Sequence, residues 1–228
     1  MRGFFVTGTG TGVGKTIVSA ALLAAMRAAH EPVRAHKPVL TGLDEPEGAW
    51  PPDHELLALA SDMRPDEVAP LRYGPAVSPH LAATLAGESI DPSALVARAR
   101  ATAGASVIVE GVGGLLVPLG DEFTVRDLAV ELGLPILIAA QPGLGTINHT
   151  LLTIEAARAV GLTVCAVVLT PWPREPSVLE RSNRDTIARL GEVEVAALDR
   201  IERPHLSELA GAGARLPWRE WLTTPSVS

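Results

Sequence analysis

Six short apolar runs, separated by segments of helical periodicity, constrain this chain more than any other feature. The runs are GFFVTG (3–8), PVRAHKPV (32–39), SVIVEG (106–111), PILIAAQ (135–141), LTVCAVVLT (162–170) and VEVAAL (193–198). The spacing between them predicts helices over 16–30, 53–62, 92–103, 124–133, 146–160 and 176–190. A strand that is apolar on both faces must be covered on both. The alternation therefore predicts an α/β fold, a three-layer arrangement with a mostly parallel central sheet. With 228 residues, no fixed-period repeat and no low-complexity linker, a single domain over 1–228 is expected, with 222–228 a frayed tail. Two polar, Pro-rich stretches, LDEPEGAWPP (43–52) and LRYGPAVSPH (71–80), read as loops, and loops that long in a compact domain are commonly binding elements.

The first run leads directly into VTGTGTGVGKT (6–16) and then a helix that is apolar on nearly all sides. Strand, Gly-rich turn and helix in that order form the context of a phosphate-binding loop. Gly8, Gly10, Gly12 and Gly14 would free the backbone to turn N–H groups inward, and the helix start adds its positive dipole end. Lys15 would reach the β- and γ-phosphates and Thr16 would offer its hydroxyl to Mg²⁺. The strict spacing of such loops asks for glycine where Thr9 stands. A dinucleotide fingerprint fails too, because Val13 or Lys15 stands where its third glycine would be. The loop reads as a nucleoside-triphosphate site.

Three further residues fall where that chemistry needs them. Glu110 closes the third apolar run, at the strand end where open parallel sheets bind ligands, as a Mg²⁺ ligand or merely a strand terminus. Asp53 opens a helix, where an N-cap and a metal ligand are equally good readings. Lys37 ends the second run, either solvated or neutralising a transferring phosphoryl group. A net charge of −7 without any Lys/Arg cluster argues against nucleic acid and membrane surfaces as partners. The one cysteine, Cys165, sits in an apolar run and reads as a buried inert thiol. No signal-like segment or apolar span of transmembrane length is visible, so a cytoplasmic protein is expected.

VTGTGTGVGKT, KPVLTG (37–42), SPHLAA (78–83), VEGVGGLLVPL (109–119) and GLGTINHTLLT (143–153) occur in the order and near the spacing of the dethiobiotin synthetases. The resemblance spans Phe4 to about Leu169. It implies a P-loop α/β fold, a homodimer, and ATP- and Mg²⁺-dependent conversion of 7,8-diaminopelargonic acid and CO₂ (or bicarbonate) to dethiobiotin, ADP and phosphate. A carbamate on one amine would attack the γ-phosphate, and the second amine would capture the resulting anhydride. By resemblance, Lys15, Lys37 and Thr11 are catalytic. Thr16, Asp53 and Glu110 hold the metal. Gly12, Val13, Gly14, Lys15, Thr16, Asp53, Glu110, Gly111, Val112, Gly113 and the positions of Thr170 and Pro171 contact ATP. Thr41, Ser78, Pro79 and His80 meet the substrate, and Gly145, Thr146, Ile147 and Asn148 hold its tail carboxylate across the subunit interface.

Three departures stand out, one being ALDRIERPHL (197–206), which matches the family's nucleotide-contacting stretch too poorly for residues to be carried over. Thr170-Pro171 replaces an Asn-Asp pair that reads adenine in many relatives, and it lacks an amide's paired donor and acceptor. Base recognition would then rest on backbone groups or on stacking against Trp172, or would admit other triphosphates. Gly10 and Gly12 replace acidic residues of some relatives. The competing readings are a glutamine-dependent P-loop amide synthetase, which a buried-looking Cys165 disfavours, and a partner-binding switch ATPase of the partitioning type. The switch class carries an extra lysine where Gly10 stands.

Overall fold

The computed structural model describes residues 1–46, 48, 50–101 and 104–223. Eight strands and ten helices are described: β1 (Gly3–Gly8), α1 (Lys15–Ala28), β2 (Val33–His36), β3 (Val39–Leu40), α2 (Asp53–Ser61), α3 (Pro65–Val68), β4 (Leu71–Arg72), α4 (Pro79–Leu85) and α5 (Pro92–Arg100) in the first half. β5 (Ser106–Glu110), α6 (Val125–Leu132), β6 (Ile136–Ala140), α7 (Thr146–Arg158), β7 (Val164–Trp172), α8 (Val178–Gly191), β8 (Glu194–Asp199), α9 (Leu206–Gly213) and α10 (Trp218–Trp221) complete it. Six strands form one sheet in the order β2-β5-β1-β6-β7-β8, and every pairing in it is parallel. Each of the six predicted runs contributes a strand to this sheet. The frayed-tail expectation concerns residues of which 224–228 lie outside those described, as do 102 and 103 of the predicted helix 92–103.

Alternation along the strands explains the layers. Phe5, Val107, Val109, Ile136 and Ile138 face α5, α6, α7 and α8, whereas Phe4, Val6, Ile108, Leu137 and Val168 face α1, α2, α9 and α10. Period-two side chains send neighbours to opposite faces, so each strand feeds both cores. Helix α1 is buried on most sides, from Val18 through Met26, because α2 and α9 flank it. The close fit with α9 is made at Gly213, where a Cβ would stand 2.0 Å from the Ala21 carbonyl oxygen.

The run 32–39 is not one strand. It breaks after His36: Lys37 N–H donates to Val68 O at 2.8 Å, outside the main sheet, and Pro38 has no N–H to give. Beyond the break, β3 pairs in parallel with β4 in a separate two-stranded sheet. The predicted loop 71–80 thus contributes β4 and the start of α4. Helices α3, α4, α9 and α10 were not expected from the sequence.

Candidate active site at the strand ends

The phosphate loop leaves β1 at the centre of the sheet, between the carboxyl ends of β5 and β6. Gly14 caps α1 in the left-handed region, at φ 94°, and a Cβ there would also meet Thr170 Cγ2 at 2.5 Å. Gly12 is left-handed too, at φ 71°. Gly8 needs its missing Cβ for space, because Val13 Cγ2 would lie 2.6 Å away. Gly10 corrects the sequence reading: it has neither positive φ nor a crowding neighbour, and nothing in the structure demands glycine there. Lys15 arches back over the loop, its Nζ donating to Gly10 O at 2.8 Å. Gln141 Nε2 donates to Gly12 O at 3.1 Å, a loop contact that the sequence did not suggest.

The break after β2 delivers Lys37 to the same place. Its buried ammonium donates to Glu110 Oε1 at 2.6 Å and to Asp53 Oδ2. Thr16 Oγ1 donates to the same Glu110 oxygen at 2.8 Å. Asp53 is the first residue of α2, and Pro52 holds the N-cap position, so the capping reading of Asp53 gives way to an ion pair with Lys37. The five polar residues named for phosphate and metal therefore converge from β1–α1, β2, α2 and β5. Burial would lower the pKa of Lys37, but Glu110 and Asp53 outweigh it and raise it, keeping the ammonium charged. Lys15 goes the other way. Burial is the main cause, helped by the Lys37 charge, and its pKa falls to about 8 despite Glu110 and Asp53.

Thr16, Asp53 and Glu110 offer hard oxygens only, the donor type Mg²⁺ takes alongside water and phosphate. Glu110 Oε2 is buried without a hydrogen-bond partner, an acceptor with spare capacity inside the cluster. The residues fit such an ion. Among the described residues no group of three or more His, Cys, Asp or Glu offers an alternative metal centre.

A cleft of about 760 Å³ opens over this cluster. Thr11, Gly12, Gly14, Lys15, Thr16, Lys37, Thr41, Asp53, Ser78, Pro79, Val112 and Gly113 line it, all of them named from the sequence. Thr41 and Ser78 reach it because segments 42–44 and 73–75 are laced together by Gly42 N–H to Pro75 O and Asp44 N–H to Gly74 O. Glu110 sits behind the lining, bonded to Thr16 and Lys37, and Gly111 packs against Phe5 and Val125 rather than the cleft. His80 is one residue into α4 and is not a lining residue. Trp50, in the described part of the 43–52 loop, lines the cleft and was missed, since nothing in a Pro-rich loop marks one aromatic as inward.

A second hollow of about 200 Å³ adjoins the first, lined by Gly12, Val13, Gly14, Ile17, Trp50, Thr170, Pro171, Arg200 and Ile201. It places Thr170 and Pro171 beside the loop, as expected, and adds Arg200 and Ile201, which follow β8. Trp172 is no stacking platform for a base: it is buried in the core with the Arg184 guanidinium 5.8 Å over its ring. Gly145, Thr146, Ile147 and Asn148 start α7, away from both hollows. The turn before them is clamped by buried Asn183, whose Nδ2 donates to Pro142 O and Gly143 O at 2.9 and 3.1 Å.

A family model described as an AAA domain matches residues 2–203. An ATP-dependent dethiobiotin synthetase BioD from Anaeromyxobacter sp. (strain Fw109-5) is 43% identical, over 91% of this chain and 98% of its own length. The chain belongs to the ATP-dependent dethiobiotin synthetase family. Membership makes it a ligase of biotin biosynthesis. A second dethiobiotin synthetase, from Anaeromyxobacter dehalogenans (strain 2CP-1 / ATCC BAA-258), is 46% identical over 87% of this chain and 89% of its own. Among solved structures, a ParA family ATPase from Chlorobium tepidum TLS covers 98% of this chain and 96% of its own, with a TM-score of 0.53 and 12% identity. That likeness is one of fold, and it puts this dethiobiotin synthetase family member among P-loop α/β proteins. Among the described residues no helix is long and apolar enough to cross a membrane. Cys165 donates to Ile136 O at 3.2 Å, and burial pushes its thiol up to about 12, so it is no nucleophile.

Proposed function

We propose that the chain closes the ureido ring of dethiobiotin from 7,8-diaminopelargonic acid, CO₂ and ATP with Mg²⁺. The observation that carries the reading is the meeting of two buried lysines, two carboxylates and a hydroxyl beneath one cleft, with a phosphate loop on one wall and Thr41 and Ser78 on another. Bound at Thr16, Asp53 and Glu110, Mg²⁺ would supply positive charge to the β- and γ-phosphates. The rest falls to the chain. Backbone N–H groups of Gly12, Val13 and Gly14 cradle the phosphates, with Lys15 over them and Thr11 beside them. Lys37 neutralises the negative charge shared between a substrate carbamate and the γ-phosphate, and Thr41 and Ser78 orient the diamine. A carbamate oxygen attacks the γ-phosphorus and ADP leaves. The free amine then attacks the carbonyl of the carbamic–phosphoric anhydride, and phosphate departs.

The α7 start, with Gly145 left-handed at φ 90° and its neighbour Leu144 93% exposed, lines neither hollow of the phosphate-loop site. We assign Gly145 to Asn148 to the substrate carboxylate of a second copy, which makes the active unit a homodimer. The deciding experiment follows phosphate release from MgATP by the purified chain, with dethiobiotin read by mass spectrometry. Release that needs both diamine and bicarbonate and equals ring product supports the synthetase. Release indifferent to the diamine refutes it and favours a switch ATPase.

A further inference from the structure

We propose that the Lys37 ammonium is the resident counter-ion of Asp53 and Glu110, and that a divalent cation entering there displaces it towards the phosphate loop. The inference rests on the reading of Thr16, Asp53 and Glu110 as the metal's oxygen set. Lys37 Nζ bonds to both carboxylates, so it fills the space between them that a bridging ion would need. The Glu110 oxygen it touches is also the one taken by Thr16 Oγ1 at 2.8 Å, while Glu110 Oε2 has no partner. All the bonding at this acid thus falls on one oxygen, shared between an ammonium and the hydroxyl assigned to the metal.

Charge makes the two occupants alternatives. Two carboxylates left at the base of a cleft, with Glu110 only 1% exposed, need a positive partner in every state. The lysine is one such partner and a dication another. Held together with Lys15, they would leave an excess of positive charge until a polyphosphate arrives. The side chain released by the metal lines the same cleft as Lys15 and Thr41, so its natural new partner is the incoming anion. The lysine that serves the phosphoryl transfer is therefore withheld until metal and triphosphate are in place. That couples nucleotide loading to the readiness of the substrate end, by competition for two acids and without any moving domain.

The test measures Mn²⁺ binding to the nucleotide-free chain from the free-ion paramagnetic resonance signal, in wild type, Lys37→Met and Lys15→Met. Both variants lose one positive charge near the acids, but Lys15 Nζ donates to the Gly10 carbonyl and not to a carboxylate. Lys37→Met should bind Mn²⁺ at least about ten-fold more tightly, and Lys15→Met less than about three-fold more tightly. Unchanged or weaker binding by Lys37→Met, or a gain equal to that of Lys15→Met, overturns the proposal. Should Lys37→Met not fold, the wild-type chain carries the test. Brief acetylation read by peptide mass spectrometry should increase at Lys37 on adding Mn²⁺, and unchanged labelling overturns the exchange. Neither measurement uses diamine, bicarbonate or turnover, so a failed synthetase assay and a failed exchange are told apart.

Discussion

At the base of the cleft Thr16, Asp53, Glu110 and Lys37 are linked at hydrogen-bond distance, with only Glu110 Oε2 left over as a buried acceptor in that cluster. Beside Thr170 the hollow is lined by loop backbone, Ile17, Trp50, Pro171, Ile201 and a single charged side chain, Arg200. The contrast separates two kinds of specification. Phosphoryl transfer needs fixed charges at fixed places, and here they stand at the carboxyl ends of β2 and β5 and in the first turns of α1 and α2. On the proposed function the hollow beside Thr170 would take the base through shape and apolar contact, which would leave room for Thr170-Pro171 in place of the Asn-Asp pair that the resemblance implies.

The sharpest way to break this comparison is Lys37→Met. Loss of a charge aimed at the transferring group should lower kcat about 10³-fold in a dethiobiotin assay, while KM for ATP moves little. His36, one residue before Lys37, sharpens it through stability. Burial, with a smaller push from Arg98, lowers its pKa to about 4, so only the unfolded chain takes up that proton between the usual 6.5 and 4. Wild type should lose stability as pH falls through this window, on the order of 3 kcal/mol in all, and His36→Gln should remove that part of the slope in urea titrations. Next comes Gly213→Ala, whose new methyl meets the Ala21 carbonyl oxygen and should cost about 2 kcal/mol by calorimetry with kcat unchanged. The smallest effect belongs to the base. GTP and CTP should replace ATP within about ten-fold in kcat/KM, a difference near 1.4 kcal/mol, and strict ATP selectivity would sink the idea of a loosely read base.

Legibility in the sequence divides along the same line. The six strands of the main sheet announced themselves because each lies in a short, mostly apolar run between helical segments, and the phosphate loop because glycines and Lys15-Thr16 follow a strand. Glu110 could be placed because a strand end is a local feature, whereas Lys37 at a strand end reads as solvated until the resemblance is added. Asp53 was ambiguous, since a helix-opening Asp has one sequence signature and two uses. Pro38 ought to have split the second run, for a residue without an N–H ends a ladder. Arg200 and Ile201 could not be assigned for another reason: ALDRIERPHL matches the family's nucleotide-contacting stretch poorly, and only strand order brings the end of β8 beside the end of β7. Asn183 looks like one more polar residue on a polar helix, although its amide fixes the turn before α7. Helix α9 was hidden because LSELAGAG, with its two glycines, carries little helical signal; tertiary packing on α1 overrides that propensity.

The seating of α9 on α1 also bears on how the chain comes into being. A ribosome has made all eight strands and the whole phosphate loop before it reaches Leu206, yet α1 still lacks its outer cover. Until then the side of α1 that α2 and the sheet leave uncovered is an apolar stripe open to any passing surface. A product cut short before Leu206 would therefore present the uncovered side of α1 to the cell's proteases instead of a weakened enzyme to its substrates.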